Sequence, residues 1–269
     1  MLMRLLILLA AAAVCLDPQM NLRDAESFFR QGQYERALAA ASEVIERDRS
    51  EAEPDRVRAA GYEARARHER AAADWSRYIE LRPSDAAAYQ ARGVVNFKAG
   101  KIRASIADFD RYLKAHPERE PHHWQRGIAY YYAGEFKKGV RQFEIHRTVN
   151  PQDVENAIWQ YLCKARTDGT DTAQVGLIEI AGDRRPWAMI VYRLYQGRAT
   201  PEQALAQAAQ LDGSDEERQI NLFYANLYVA LFFEAEGDAE KARQAMATAV
   251  QKFPCSHYMG DVARVHLNR

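Results

Sequence analysis

The chain is predicted to be all-α, an array of helix–turn–helix repeats, and three features carry that prediction. Sliding residues 86–153 on themselves lays Gly93 on Gly127, Gly100 on Gly134, Phe109 on Phe143 and Pro117 on Pro151, each at a spacing of 34. The composition is that of a folded helical chain: 48% hydrophobic, nine prolines in 269 residues, and plentiful Ala, Leu, Glu, Arg and Gln. The segment Gly32-Gln33-Tyr34-Glu35-Arg36-Ala37 reads as a tight turn feeding a second helix. Within each unit the residue types have separate jobs. Gly93 and Gly127 let two helices approach closely, and Gly100 and Gly134 end the first helix where a positive φ is needed. Phe109 and Phe143 fill the buried face of the second helix. Pro117 and Pro151 stop it.

In chain order, residues 1–17 read as a targeting segment. Arg4 supplies a positive start, and Leu5 to Val14 is an apolar run too short to span a bilayer but suited to a secretory signal. Two exits compete. Ala11-Ala12-Ala13 offers small residues for ordinary cleavage, whereas Cys15 could be the lipidated first residue of a lipoprotein. For the second, Ala12 stands where a lipobox prefers leucine, and Val14 is unusual beside the cysteine. Residues 18–153 then hold four repeat units, counted back from the clear pair. Ala59, Tyr62, Ala71, Trp75, Tyr78 and Pro83 mark the second, and Ala25, Phe28, Gly32, Ala37, Ala41 and Val44 the first.

From 154 to 222 the period is lost while helical signals persist. Asn150-Pro151-Gln152-Asp153 is expected to cap a helix carrying Trp159, Tyr161 and Leu162, with Pro151 at its first position. Asp171 and Gln174 suggest a cap pair for a helix over 172–181. Asp183 to Pro186 reads as a turn before Trp187, and Thr200-Pro201-Glu202-Gln203 as a capping box; Ser214 and Glu217 open the next helix in the same way. Over 223–269 a regular pair returns with Ala230, Phe233, Gly237, Ala242, Met246, Ala249 and Pro254. A last helix, roughly 256–267, is expected to cap the array.

The 34-residue period is that of the tetratricopeptide repeat, a right-handed helical solenoid. More narrowly, the sequence resembles the NlpI-type tetratricopeptide lipoproteins of bacterial envelopes. The resemblance rests on R-G-I-A-Y-Y-Y-A-G at 126–134, N-P-Q-D at 150–153, W-Q-Y-L at 159–162 and N-L-F-Y at 221–224, with the repeat returning from Leu227 to Val250. It spans roughly 86–255, and the poor lipobox departs from it. The resemblance implies a non-catalytic, often dimeric adaptor that binds envelope hydrolases and a processing protease. It also implies that the first helix of each unit lines a concave face. Positions 2, 5, 9, 12 and 13 of the units put Ala87, Gln90, Val94, Phe97 and Lys98 there, followed by Pro121, Trp124, Ile128, Tyr131 and Tyr132. Phe97, Lys98, Trp124, Ile128, Tyr131 and Tyr132 are therefore the expected protein-binding residues, taking a peptide or helix in the groove. Two alternatives stay open: later helices fold back over these aromatics, or they form a homodimer seam. The carboxylate clamp of chaperone-tail receptors needs Lys and Asn at positions 5 and 9, which Leu22/Glu26, Arg56/Ala60, Gln90/Val94 and Trp124/Ile128 do not supply.

Catalytic and cofactor signatures are absent from the sequence. Lysine plus arginine and aspartate plus glutamate each total 37, so no basic excess calls for nucleic acid, and the membrane enters only through a possible N-terminal lipid. No H-E-x-x-H, G-x-S-x-G or phosphate loop occurs, no metal site or cofactor is expected, and adjacent His122 and His123 point about 100° apart on a helix. His257 and Asp261 have i, i+4 spacing but would need further ligands to hold a metal. Cys163 and Cys255 sit in apolar helical surroundings, which favours buried thiols over a disulfide, although export would permit one. The expected function is an exported scaffold that recruits protein partners. A purely structural homodimer and a degenerate envelope enzyme are the competing classes.

Overall fold

A computed structural model of the chain describes residues 21–269, so the targeting segment and Cys15 lie outside the described residues. The described chain is helical without strands and divides after Arg82 into two compact units.

The first unit holds two helix pairs: α1 (Leu22–Arg30) with α2 (Tyr34–Arg47), and α3 (Glu53–Ala64) with α4 (His68–Leu81). Asn21 opens α1 through a capping box with Asp24. Ala25, Ala40, Ala41 and Val57 form a core of small residues, with Phe28 and Phe29 packed against it. Small side chains at the crossings allow close helix approach, so the aromatics seal the edge of the core.

The second unit continues the same pattern through α5 (Ala86–Lys98), α6 (Ile102–Ala115), α7 (Trp124–Tyr132) and α8 (Phe136–Arg147). A 3₁₀ turn over Pro117–His122 precedes α7, because Pro117 and Pro121 both lack the N–H an α-helix needs. The predicted close approaches are present. A Cβ on Gly93 would lie 2.6 Å from the Phe109 ring, and one on Gly127 would lie 2.7 Å from the Phe143 ring.

The turn inside each pair places one residue in the left-handed region: Gly32 (φ 72°), Ala66 (54°), Gly100 (74°) and Gly134 (76°). Three of these four equivalent turns use glycine, while Ala66 tolerates a conformation that costs an L-residue about 1–2 kcal/mol. Ala66→Gly is expected to stabilise the chain by about 0.5–1 kcal/mol, the relief exceeding the entropy glycine adds to the unfolded state. A lower denaturant midpoint for Ala66→Gly would show that the entropy dominates.

A second 34-residue periodicity, in polar residues, accompanies the glycines. The Arg58 fork holds Asp74 at 2.8 Å through both nitrogens, and Arg92 holds Asp108 at 2.6 and 2.9 Å. Arg126 holds Gln142 at 2.7 and 2.9 Å, with Asp110 and Glu120 as its carboxylate partners. Each arginine ties the first helix of a pair to the second through two nitrogens, Arg58 and Arg92 with parallel bonds to the two carboxylate oxygens and Arg126 with both bonds to the one Gln142 Oε1, arrangements lysine cannot reproduce.

Beyond α8 the chain runs through α9 (Val154–Asp168), α10 (Thr170–Val175), α11 (Ala188–Tyr195), α12 (Pro201–Ala209), α13 (Asp215–Ala235), α14 (Ala239–Lys252) and α15 (Tyr258–Leu267). The capping boxes at Thr200 and Ser214 form as predicted. Two expectations are corrected. The cap of α9 is Asp153, which accepts from Glu155 N at 3.0 Å, so Pro151 lies ahead of the helix. The helix expected over 172–181 runs instead from Thr170 to Val175 with Gly169 as its cap, so Asp171 and Gln174 lie within it and are not a cap pair. Past Gly176 the backbone finds partners other than its own carbonyls: the Tyr192 hydroxyl accepts from Ile180 N and donates to Ile178 O, and Gln152 accepts from Ala181 N. Ile178 and Ile180 are thereby buried without a helix.

Helix α13 is the axis of this unit. Every residue from Phe223 to Leu231 is buried, as expected of a helix apolar on all sides. Cys163 and Cys255 are buried and not in a disulfide, and burial pushes the Cys163 thiol pKa well up. No described helix is long and apolar enough to cross a membrane.

Candidate partner groove and its cavity

All six residues expected to bind a partner converge on one face of α5 and α7, but that face is not open. Phe97, Ile128 and Tyr131 are buried, and the chain's own α15 lies against α5. The Tyr258 ring stacks on Phe97 at 5.4 Å and meets the Trp124 edge at 5.2 Å. Lys98 pairs with Asp261 at 3.2 Å, and the Tyr132 hydroxyl meets His266 Nδ1 at 3.1 Å. Tyr131 turns toward α9 and α13, edge-on to Trp159 and donating to Glu234 at 3.0 Å. The expectation of an exposed aromatic groove is thus corrected by these later helices. Asp261 is also drawn to Arg264 at 2.6 Å, so two cationic side chains share its carboxylate.

The face stays open at one end. Beside Trp124 a cavity of about 360 Å³ lies between α7, α8, α9, α13 and the turn into α15. Trp124, Trp159, Tyr224 and Tyr258 supply aromatic walls, and Glu155, Asp153 and Arg185 a charged floor. The volume suits a ligand-sized group. The large apolar side chains that are exposed among the described residues are Val149 and Val175, neither of which lines this cavity.

The floor is a four-membered charge network set by the turn after α10. Asp183 accepts from Val154 N at 3.2 Å and from Arg185 N at 3.0 Å, fixing that turn to the start of α9. The Arg185 guanidinium then bonds Asp183, Asp153 and Glu155 together. It also lies 5.0 Å over the Trp187 ring, which stacks at 4.3 Å on Tyr224. Burial raises the Glu155 pKa to about 7 despite Arg185 and a hydrogen bond from Tyr228. For Asp153 burial opposes ionisation, but His146 and Arg185 outweigh it and hold its pKa below the ordinary value. His146 faces Asp153 at 3.7 Å and its pKa is raised, burial notwithstanding, by that carboxylate and the Pro121 carbonyl. Sequence inspection singled out neither Glu155 nor Arg185. They lie 30 residues apart, and the turn that joins them was expected only as a connection.

Residues 22–69 and 62–120 match the tetratricopeptide repeat family model. No curated protein matches the chain in sequence. Among solved structures, a tetratricopeptide repeat protein from Parabacteroides merdae aligns with a TM-score of 0.59 at 12% identity, covering 92% of this chain and 96% of its own. The C-terminal part of a repeat protein from Cytophaga hutchinsonii aligns at 0.53 with 16% identity, covering 90% and 99%. MamA from Desulfovibrio magneticus RS-1 aligns at 0.52 with 19% identity, covering 59% and 90%. At these identities the likeness is one of fold: the chain has a tetratricopeptide-type helical repeat fold.

Proposed function

We propose that this chain is an exported, non-catalytic scaffold that captures protein partners at the open end of its α5–α7 face, with Trp124 at the mouth. The carrying observation is the cavity itself, where a partly exposed tryptophan and three further aromatic rings meet a charged floor. Rigid aromatic anchors around a pocket are the usual energetic centre of a protein interface. The apolar run at Leu5 to Val14 supports export, with Cys15 as the candidate lipid attachment. The resemblance to NlpI-type lipoproteins supports peptidoglycan hydrolases, or the protease that processes them, as partners.

The test is photocrosslinking in the native host. A photoreactive phenylalanine at position 124 is expected to yield discrete adducts in the envelope fraction. The same group at Arg103, whose side chain is 82% exposed on α6, is expected to yield none of them. Equal adducts at both positions would remove the groove, and retention of the whole chain in the cytoplasm would remove the export. An adduct of the chain with itself alone would favour the structural homodimer.

A further inference from the structure

The face that α15 covers carries a charge at each end. Lys98 on α5 meets Asp261, in the first turn of α15, at 3.2 Å. At the far end Glu234 on α13 receives Arg269, just past the last turn, and faces His266 at 3.7 Å. Between these ends the contacts are aromatic: Tyr258 against Phe97 and Trp124, and Tyr132 against His266 and Arg269. An acid in the first turn and a cation past the last is also the order that the helix dipole favours. The face thus specifies both an occupant and its direction. It suits an amphipathic helix with an aromatic ring, a carboxylate three residues on and a cation about two turns further.

Helix α15 meets this specification without completing it. The Tyr258 hydroxyl is closed to solvent and has no hydrogen-bond partner, whereas buried polar atoms are normally paired. At the same turn lies the cavity of about 360 Å³, lined by Tyr258 and Met259 from α15 and by Trp124, Ile128 and Phe143. An unpaired hydroxyl and an unfilled space are separate deficits, and each weakens the seat of the helix that leaves them. The two ion pairs, by contrast, are contacts that any helix of the same charge order can reproduce.

We propose that the α5–α7 face docks an amphipathic helix of a partner protein, and that α15 holds the site until that helix displaces it. The partner helix brings its carboxylate to Lys98, its cation to Glu234 and an apolar side chain into the space beside Tyr258. Helix α15 moves away on the five non-helical residues 253–257 that join it to α14. This rests on the scaffold reading above, to which it adds the chemistry of the partner and the chain's own competitor for the site.

The probe is a fluorescein-labelled peptide of residues 256–269, offered in trans to the full chain, with binding read by anisotropy. To bind, it has to displace the α15 already in place. Asp261→Asn in the chain removes the cis pair with Lys98 and is expected to tighten peptide binding about tenfold over the parent. The same substitution in the peptide is expected to weaken binding by about the same factor, and Lys98→Gln in the chain to erase the difference between the two peptides. Tyr258→Phe in the peptide omits the unpaired hydroxyl, needs no altered chain, and is expected to tighten binding about threefold.

No binding of either peptide to the parent or to the Asp261→Asn chain would overturn the proposal, leaving α15 a fixed part of the fold. Binding indifferent to Asp261 of the peptide and to Lys98 would overturn it too. A dimer on sizing that the peptide dissociates would assign the face to a second copy's α15 and overturn the partner helix. Crosslinking at Trp124 is read separately. Adducts without peptide binding keep the scaffold reading and remove the helix site, whereas peptide binding without adducts removes partner capture at the mouth alone.

Discussion

Gly260→Ala is expected to destabilise the second unit by about 3 kcal/mol and to lift α15 off the α5–α7 face. A Cβ at this position would sit 2.0 Å from the Cys255 carbonyl oxygen and 2.8 Å from its carbon. Both are backbone atoms, so no rotamer change relieves the clash, unlike the ring contacts at Gly93 and Gly127. The turn is closed from both sides, by Gly260 N donating to the His257 carbonyl at 2.8 Å and by Arg264 reaching the Cys255 carbonyl. Its opening would carry away Tyr258, which covers Phe97 and Trp124, and Asp261, which holds Lys98. At about 2–4 °C per kcal/mol for a unit of this size, the melting temperature should fall by roughly 6–12 °C. Limited proteolysis should then cut between α14 and α15 before any other site. Gly182→Ala, with nothing within 4 Å of its Cβ, is the neutral control. A Gly260→Ala protein that melts like the parent and resists cleavage would mean that α15 is not seated by this turn.

The repeat architecture was legible because its determinants recur locally. Glycines at 93 and 127, left-handed turns at 100 and 134, and ring fillers at 109 and 143 each act within one helix pair, so a fixed period exposes them. The arginine forks have the same period and could have been found in the same way, since Arg58, Arg92 and Arg126 each precede their partner by 16 residues. Charged residues on helices usually read as solvated surface, which hid them. The covering of the aromatic face was not legible. It depends on Tyr132 meeting His266 and Tyr131 meeting Glu234, at separations of 134 and 103 residues. No local pattern encodes which of several amphipathic helices returns to fill a given face. The turn over 176–187 was misread for a related reason. Helical propensity favoured continuing past Val175, but Tyr192 and Gln152 offered the backbone partners from outside the segment.

Arg185→Met is expected to cost about 3 kcal/mol at pH 8 and distinctly less at pH 5. Removing one member of a largely buried charge network leaves the others uncompensated, which typically costs about 3–5 kcal/mol. The lower end applies because the Arg185 side chain is 33% exposed and water can partly replace it. Three carboxylates lose their shared cation and keep only neutral donors and His146, among them Tyr228 on Glu155, Asn150 and the Glu155 N–H on Asp153, and the Val154 N–H on Asp183. The sign with pH follows from proton linkage. In the parent, the folded-state pKa of Glu155 is about 7, above its unfolded value, so its stabilising contribution is present at low pH and lost as pH rises through 7. Without Arg185 that pKa moves higher still, and the loss becomes larger. Asp153 and Asp183 are held below their ordinary pKa, partly by Arg185, and contribute stability above about pH 4 that the variant forfeits. The Glu155 part shrinks between pH 8 and 5 as that carboxyl takes up its proton, whereas the aspartate part is lost only below about pH 4, so the two proteins converge in part across this range. Urea unfolding at pH 5, 6, 7 and 8 measures the convergence directly. Arg185→Lys, a point charge without the fork, should recover only part of the difference. A penalty that stays constant across the series would assign the role of Arg185 to its packing on Trp187 instead of to the three carboxylates.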